Sequence, residues 1–129
     1  MTQRKAIQTD KAPAAIGPYS QALLAGNTLY ISGQLGIDPA TGKMVDGGVA
    51  EQTEQAFKNI MAILTEVNMS MHDVVQVQVF LVDIADFSVV NGVYETFFTK
   101  PYPARAAIQA GALPASGSVE ILVTAVKEE

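Results

Sequence analysis

Apolar residues recur at two periods along this chain, and the change of period marks its elements. The strongest helical stretch is 50–67, where Ala56, Phe57, Ile60, Met61, Leu64 and Val67 recur at helical spacing. Glu51, Glu54, Lys58 and Glu66 supply the solvated face. Met61 and Phe57 therefore read as core residues, not as a cofactor box. Asn68 follows as a C-terminal stop, because asparagine tolerates the left-handed conformation. A second stripe, Val90, Val93, Tyr94, Phe97 and Phe98, predicts a helix over 86–99. Asp86 is its N-cap candidate, and Pro101 and Pro103 forbid continuation.

A period of two marks the strands. Over 73–83, Val75, Val77, Val79 and Leu81 share one face, and Val74, Gln76, Gln78, Phe80 and Val82 share the other. Shorter strands are expected at Lys5–Gln8, 20–25, 28–32, 105–110 and 118–127. Ala25-Gly26-Asn27 breaks the second from the third as a hairpin turn, and Gly33 ends the third. A glycine there also lets a ligand or another backbone approach closely. Residues 34–48 read as a long connection, with a turn signal at Asp38–Gly42. Gly42-Lys43 lacks the glycine spacing and the following Ser/Thr of a phosphate loop, so no nucleotide site is assigned.

This order predicts an α+β two-layer sandwich: a mixed six-stranded sheet with two helices on one face. The other face is left open. It carries apolar and amide side chains, so burial by another subunit is expected. At 129 residues the chain is one domain, 1–129, with no repeat and no internal boundary.

Composition narrows the function classes. There is no cysteine and one histidine, His72, placed in a solvated connection. Thiol chemistry is excluded, and a dedicated metal site is not expected. Net charge is −5 without a lysine-rich run, which argues against nucleic-acid binding. No apolar run reaches membrane-spanning length, and the first eleven residues lack a signal-peptide core. A soluble, cytoplasmic protein is expected.

The chemistry concentrates near the C-terminus, in Pro103–Pro114 followed by Val119-Glu120-Ile121. The chain has two arginines, and Arg105 is the one outside the N-terminal tail. Glu120 is the only acid between Glu95 and the terminal Glu128-Glu129 pair. An unpaired charge on an apolar strand is costly to bury. Three explanations compete: a structural ion pair, a solvated face, or a site that holds an anion on Arg105 and moves a proton through Glu120. Arginine suits a carboxylate because its planar fork donates two parallel hydrogen bonds. If the last two strands pair with Ala107 opposite Glu120, then Arg105 and Glu120 become diagonal neighbours on one sheet face.

PARAAIQAGALP, with the following VEI, resembles the C-terminal signature of the Rid (YjgF-like) family of enamine/imine deaminases. The resemblance extends to APAAIGPYSQA at 12–22, ISGQ at 31–34 and DFSVVNGVYETFF at 86–98. It implies a chorismate-mutase-like fold, a homotrimer around a central barrel of sheets, and pockets between subunits. It implies hydrolysis of reactive 2-enamino/2-imino acids to 2-keto acids and ammonia, without cofactor or metal. In that reading Arg105 clamps the carboxylate and Glu120 positions water. Tyr19, Gly33, Phe87, Asn91 and Ala107 complete the pocket, Ala107 and Gly33 through their backbones. Some relatives carry cysteine where this chain has Ala107, which removes any thiol-based role here. The rival expectations are a non-catalytic regulatory trimer that binds keto acids, a chaperone-like interaction protein, and a nuclease.

Overall fold

The computed structural model describes residues 3–128. The strands are β1 (Arg4–Ile7), β2 (Ala22–Ala25), β3 (Thr28–Gln34), β4 (Ile37–Asp38), β5 (Lys43–Met44), β6 (Val74–Leu81), β7 (Ala104–Gln109) and β8 (Val119–Val126). The helices are α1 (Val49–Glu66) and α2 (Phe87–Phe97). Six strands form one mixed sheet in the order β1-β2-β3-β8-β6-β7. β8 runs antiparallel to both β3 and β6, so those two are parallel to each other. α1 makes the crossover between them. β6 and β7 pair in parallel, with α2 as their crossover. The expected α+β two-layer architecture is therefore present. Residues 34–48 hold one feature the hydrophobic pattern did not reveal, the two-residue hairpin of β4 and β5.

The core lies between the helices and one sheet face. Val77, Val79 and Leu81 of β6 sit opposite Val123, Ile121 and Val119 of β8, and all six are buried. α1 lowers Phe57, Ile60, Ile63 and Leu64 onto this layer. Two sequence expectations fail in detail. Met61 is 42% exposed, and Ile63 takes the core position instead. The alternation assumed for β6 is broken between Val74 and Gln76 by a register shift. Val74 thereby joins the buried face while Val75 is 46% exposed. A bulge adds a residue and so flips the alternation on one side of itself.

The helix ends are set locally. Asn68 has φ 59°, and the amides of Asn68 and Met69 bond to the carbonyls of Thr65 (3.0 Å) and Leu64 (2.9 Å). That is a Schellman stop, with Met69 buried behind it. Asp86 occupies the N-cap position of α2 but makes no side-chain capping bond. Its own backbone is already helical, and Asp83 accepts from the Ala85 amide (2.9 Å) in the preceding turn instead.

The other sheet face is bare of helix. Tyr30, Gln76 and Ile108 stand on it at least partly exposed, with Leu122 and Thr124 half-buried between them. Among the described residues no helix is long and apolar enough to cross a membrane. The stretch that follows β1 is tied to the sheet by one buried side chain, Gln21. Its Oε1 accepts from the Thr9 amide (2.7 Å), and its Nε2 donates to the carbonyls of Thr9 (3.0 Å), Ala12 (3.2 Å) and Pro13 (2.8 Å). Deleting these bonds strands buried polar groups, so Gln21→Ala should cost about 2–4 kcal/mol in urea unfolding. Hydrogen exchange should then be accelerated across residues 9–13 first.

Candidate active site

The site residues named from the sequence fall into two groups on opposite sides of the sheet. β7 does not pair with β8, because β6 lies between them. Arg105 stands beside Val77 and Ala107 beside Val79, on the helix-covered face. Glu120 is in register with Phe80, and Phe80 with Ile108, on the open face. The diagonal pairing of Arg105 with Glu120 is thus overturned. Two strand spacings, roughly 10 Å, and the thickness of the sheet separate them within one chain. The structural ion pair is overturned with it. Among the described residues the only ion pair is Lys58–Glu54, at 3.1 Å on the surface of α1.

Arg105 is exposed at the sheet edge yet firmly held. Its Nη1 donates to Asn91 Oδ1 at 2.7 Å. Its Cζ lies 4.9 Å from the Phe87 ring centroid and 4.7 Å from that of Tyr94. Phe87, Asn91 and Tyr94 are spaced i, i+4 and i+7 on α2, which puts them on one helix face. Ala107 is half-buried two residues along β7 and packs against the core. Asn91, Tyr94, Glu95, Tyr102, Pro103 and Arg105 line a cleft of about 380 Å³. Sequence reasoning placed Tyr94 in the core and did not connect it with Arg105. The i, i+4, i+7 spacing with Phe87 and Asn91 was the available signal.

Glu120 belongs to the second group. It is half-buried and next to Gly33. A Cβ at Gly33 would lie 2.8 Å from Glu120 Oε2 and 2.9 Å from its Cδ. Gly33 therefore sits within β3, not at its end, and makes room for the carboxylate. Burial pushes the Glu120 carboxyl above the ordinary glutamate value. Tyr19 is 54% exposed, with its hydroxyl accepting from the Ile16 amide at 3.3 Å. Tyr19, Gln21, Gly33, Gln34, Leu35 and Pro114 help line a concavity of about 370 Å³.

Together these features place a guanidinium held by α2 on one side of the sheet and, on the other, a half-buried carboxyl of raised pKa beside a glycine. Gly33→Ala tests the second half directly. The new methyl should displace the carboxylate towards solvent and lower its pKa back towards that of an ordinary glutamate. A carbon-13 titration of the Glu120 carboxyl reads this. The fold should survive, because the end of a flexible side chain is what must move. An unchanged titration would contradict the packing.

Comparison with known proteins places these features in a lineage. The model of the family described as Endoribonuclease L-PSP matches residues 9–127. A bovine protein named 2-iminobutanoate/2-iminopropanoate deaminase is 56% identical over 124 residues, covering 96% of this chain and 90% of that protein. The crystal structure of RidA from Psychrobacter sp. PAMC 21119 superposes with TM-score 0.92 at 51% identity, covering 95% of this chain and 99% of that one. A Thermotoga maritima structure superposes with TM-score 0.94 at 45% identity, covering 97% and 98%. Sheet order, helix placement and sequence agree over nearly the whole chain, and the chain belongs to the L-PSP/YjgF family, the Rid family.

Proposed function

We propose that this protein hydrolyses small 2-imino acids, such as 2-iminobutanoate and 2-iminopropanoate, to 2-keto acids and ammonia. The observation that carries the reading is the guanidinium of Arg105, immobilised by Asn91, Phe87 and Tyr94 with donors left free at a cleft. That is a receptor for a planar carboxylate. The names of close relatives supply the reaction class.

The active protein is a homotrimer in this reading. Its open sheet faces meet around a common axis, and the Arg105 half-site of one subunit faces the Glu120 half-site of its neighbour. The partial exposure of Tyr30, Gln76 and Ile108 on the open face supports such burial. So does the separation of Arg105 from Glu120 within one chain, since a small substrate cannot span the sheet.

Arg105 binds the substrate carboxylate. The backbones of Ala107 and Gly33 bind the adjacent polar atoms, and Tyr19 closes the pocket. The imine reacts in its protonated, iminium form: the ionised Glu120 takes a proton from water as the water oxygen bonds to the iminium carbon, and the C=N π pair moves to nitrogen, leaving a neutral amine. The proton held by Glu120 passes to that nitrogen. The carbon–nitrogen bond breaks, ammonia leaves, and loss of the hydroxyl proton completes the keto group. An imine carbon is electrophilic enough that orientation and one acid–base group suffice.

Decay of 2-iminobutanoate, generated from threonine by a threonine dehydratase and trapped with semicarbazide, measures the activity. Wild type should accelerate the decay over buffer. Arg105→Ala and Glu120→Gln should each lose roughly a hundredfold or more in kcat/KM. Wild type no faster than buffer would end the proposal. The reading also fixes a pH dependence. Glu120 works ionised, and burial raises its pKa. Activity should therefore fall on the acid side as Glu120 takes up a proton, and that limb should be absent from the residual activity of Glu120→Gln. An acid limb that persists in Glu120→Gln would remove Glu120 as the base. Addition of RNA tests cleavage in the same preparation, and the net charge of −5 predicts none.

A further inference from the structure

Arg105 projects from an edge strand, where a long side chain ordinarily keeps its rotamer freedom. An arginine carries roughly 2 kcal/mol of such entropy, which ligand binding would have to overcome. Here the guanidinium is instead held before any ligand arrives. Asn91 fixes one end through a 2.7 Å hydrogen bond, and two aromatic rings lie within 5 Å of Cζ. The two rings differ in what stands behind them. Tyr94 is buried to 5% exposure, with its ring 4.5 Å from that of Phe98 and 5.9 Å, edge-on, from that of Phe57. Phe57 in turn packs on Phe97 and Phe98. Phe87 is only half-buried, at the first turn of α2. Tyr94 is therefore the rigid support, connecting the anion receptor to the densest aromatic cluster of the core.

We propose that Tyr94 is a positioning residue for Arg105: its ring face holds the guanidinium in the orientation that receives the substrate carboxylate. The inference rests on the assignment of Arg105 as carboxylate receptor. The phenol oxygen takes no part. It is buried without a hydrogen-bond partner. Ring and hydroxyl can therefore be separated by substitution. Tyr94→Phe keeps the cation–π surface and removes only an unsatisfied group. Tyr94→Leu keeps an apolar core residue and removes the surface.

The experiment has two parts. Nitrogen-15 spectra of the wild-type arginine side chains come first. The Nε–H signal of Arg105, assigned by its loss in Arg105→Lys, should be displaced from the free-arginine position by ring currents. A signal at the free-arginine position would overturn the proposal without recourse to any Tyr94 variant, so it stays decidable should Tyr94→Leu not fold.

Binding of 2-oxobutanoate by calorimetry and turnover of 2-iminobutanoate come second. Tyr94→Leu should weaken ketoacid binding roughly two- to thirtyfold, the range of a cation–π contact, and should act mainly on KM. Tyr94→Phe should restore wild-type binding. In an Arg105→Met background, where no cation remains over the ring, Tyr94→Leu should add little further loss of the residual binding. Wild-type affinity in Tyr94→Leu, or the same loss in both backgrounds, would overturn the positioning role. Arg105→Met is the separate control. If it binds 2-oxobutanoate like wild type, the underlying assignment of Arg105 fails instead.

Discussion

Both helical crossovers fall on the same face of the sheet, and most of the molecule follows from that constraint. β3 to β6 and β6 to β7 are parallel connections, which cannot be closed by tight turns. Each needs a helix: α1 packs against β3 and β8, α2 packs against α1, and Val77, Val79, Leu81, Ile121 and Val123 are buried in the core they close. One face becomes a dry core built around Phe57. The other keeps no cover from its own chain. The same arrangement inserts β6 between the two charged strands and sends Arg105 and Glu120 to opposite sides.

That separation has an electrostatic consequence. Beside a guanidinium, a carboxyl would be held below its ordinary pKa. Here Glu120 feels burial alone, and its affinity for a proton rises. In the proposed trimer the neighbouring subunit's half-site brings a cation back into range and opposes this rise. A carboxyl under two opposed influences is suited to taking a proton from water and returning it to nitrogen. Gly33 matters for the same reason, since any side chain there would occupy the space of the carboxylate.

Much of this was legible in the sequence. Helical periodicity located α1 and α2 to within about two residues, and the stop at Asn68 was readable because one residue type serves that conformation. What escaped was whatever depends on non-local pairing. The alternation through Val74, Val75 and Gln76 assumed an unbroken ladder, whereas the register with β8 shifts there. Arg105 and Glu120 were read as neighbours because strands adjacent in sequence often pair. The Gly111–Ser118 connection instead carries the chain past β6. Tyr94 was rightly read as part of the apolar α2 stripe, while its contact with Arg105 escaped for a related reason. Its apolar position in the α2 stripe is real, but the partner that gives it a second role arrives eleven residues later from another element.

The central claim is that one complete site takes Arg105 from one subunit and Glu120 from another. Subunit complementation tests it most directly. Arg105→Ala and Glu120→Gln chains, each inactive alone, would be mixed, dissociated and reassembled, and imine turnover measured. Random mixing should recover about a quarter of the wild-type sites, because one interface arrangement in four pairs an intact arginine with an intact glutamate. Mixtures that stay as inactive as either parent, although hybrids are shown to form by mass spectrometry, would contradict a shared site.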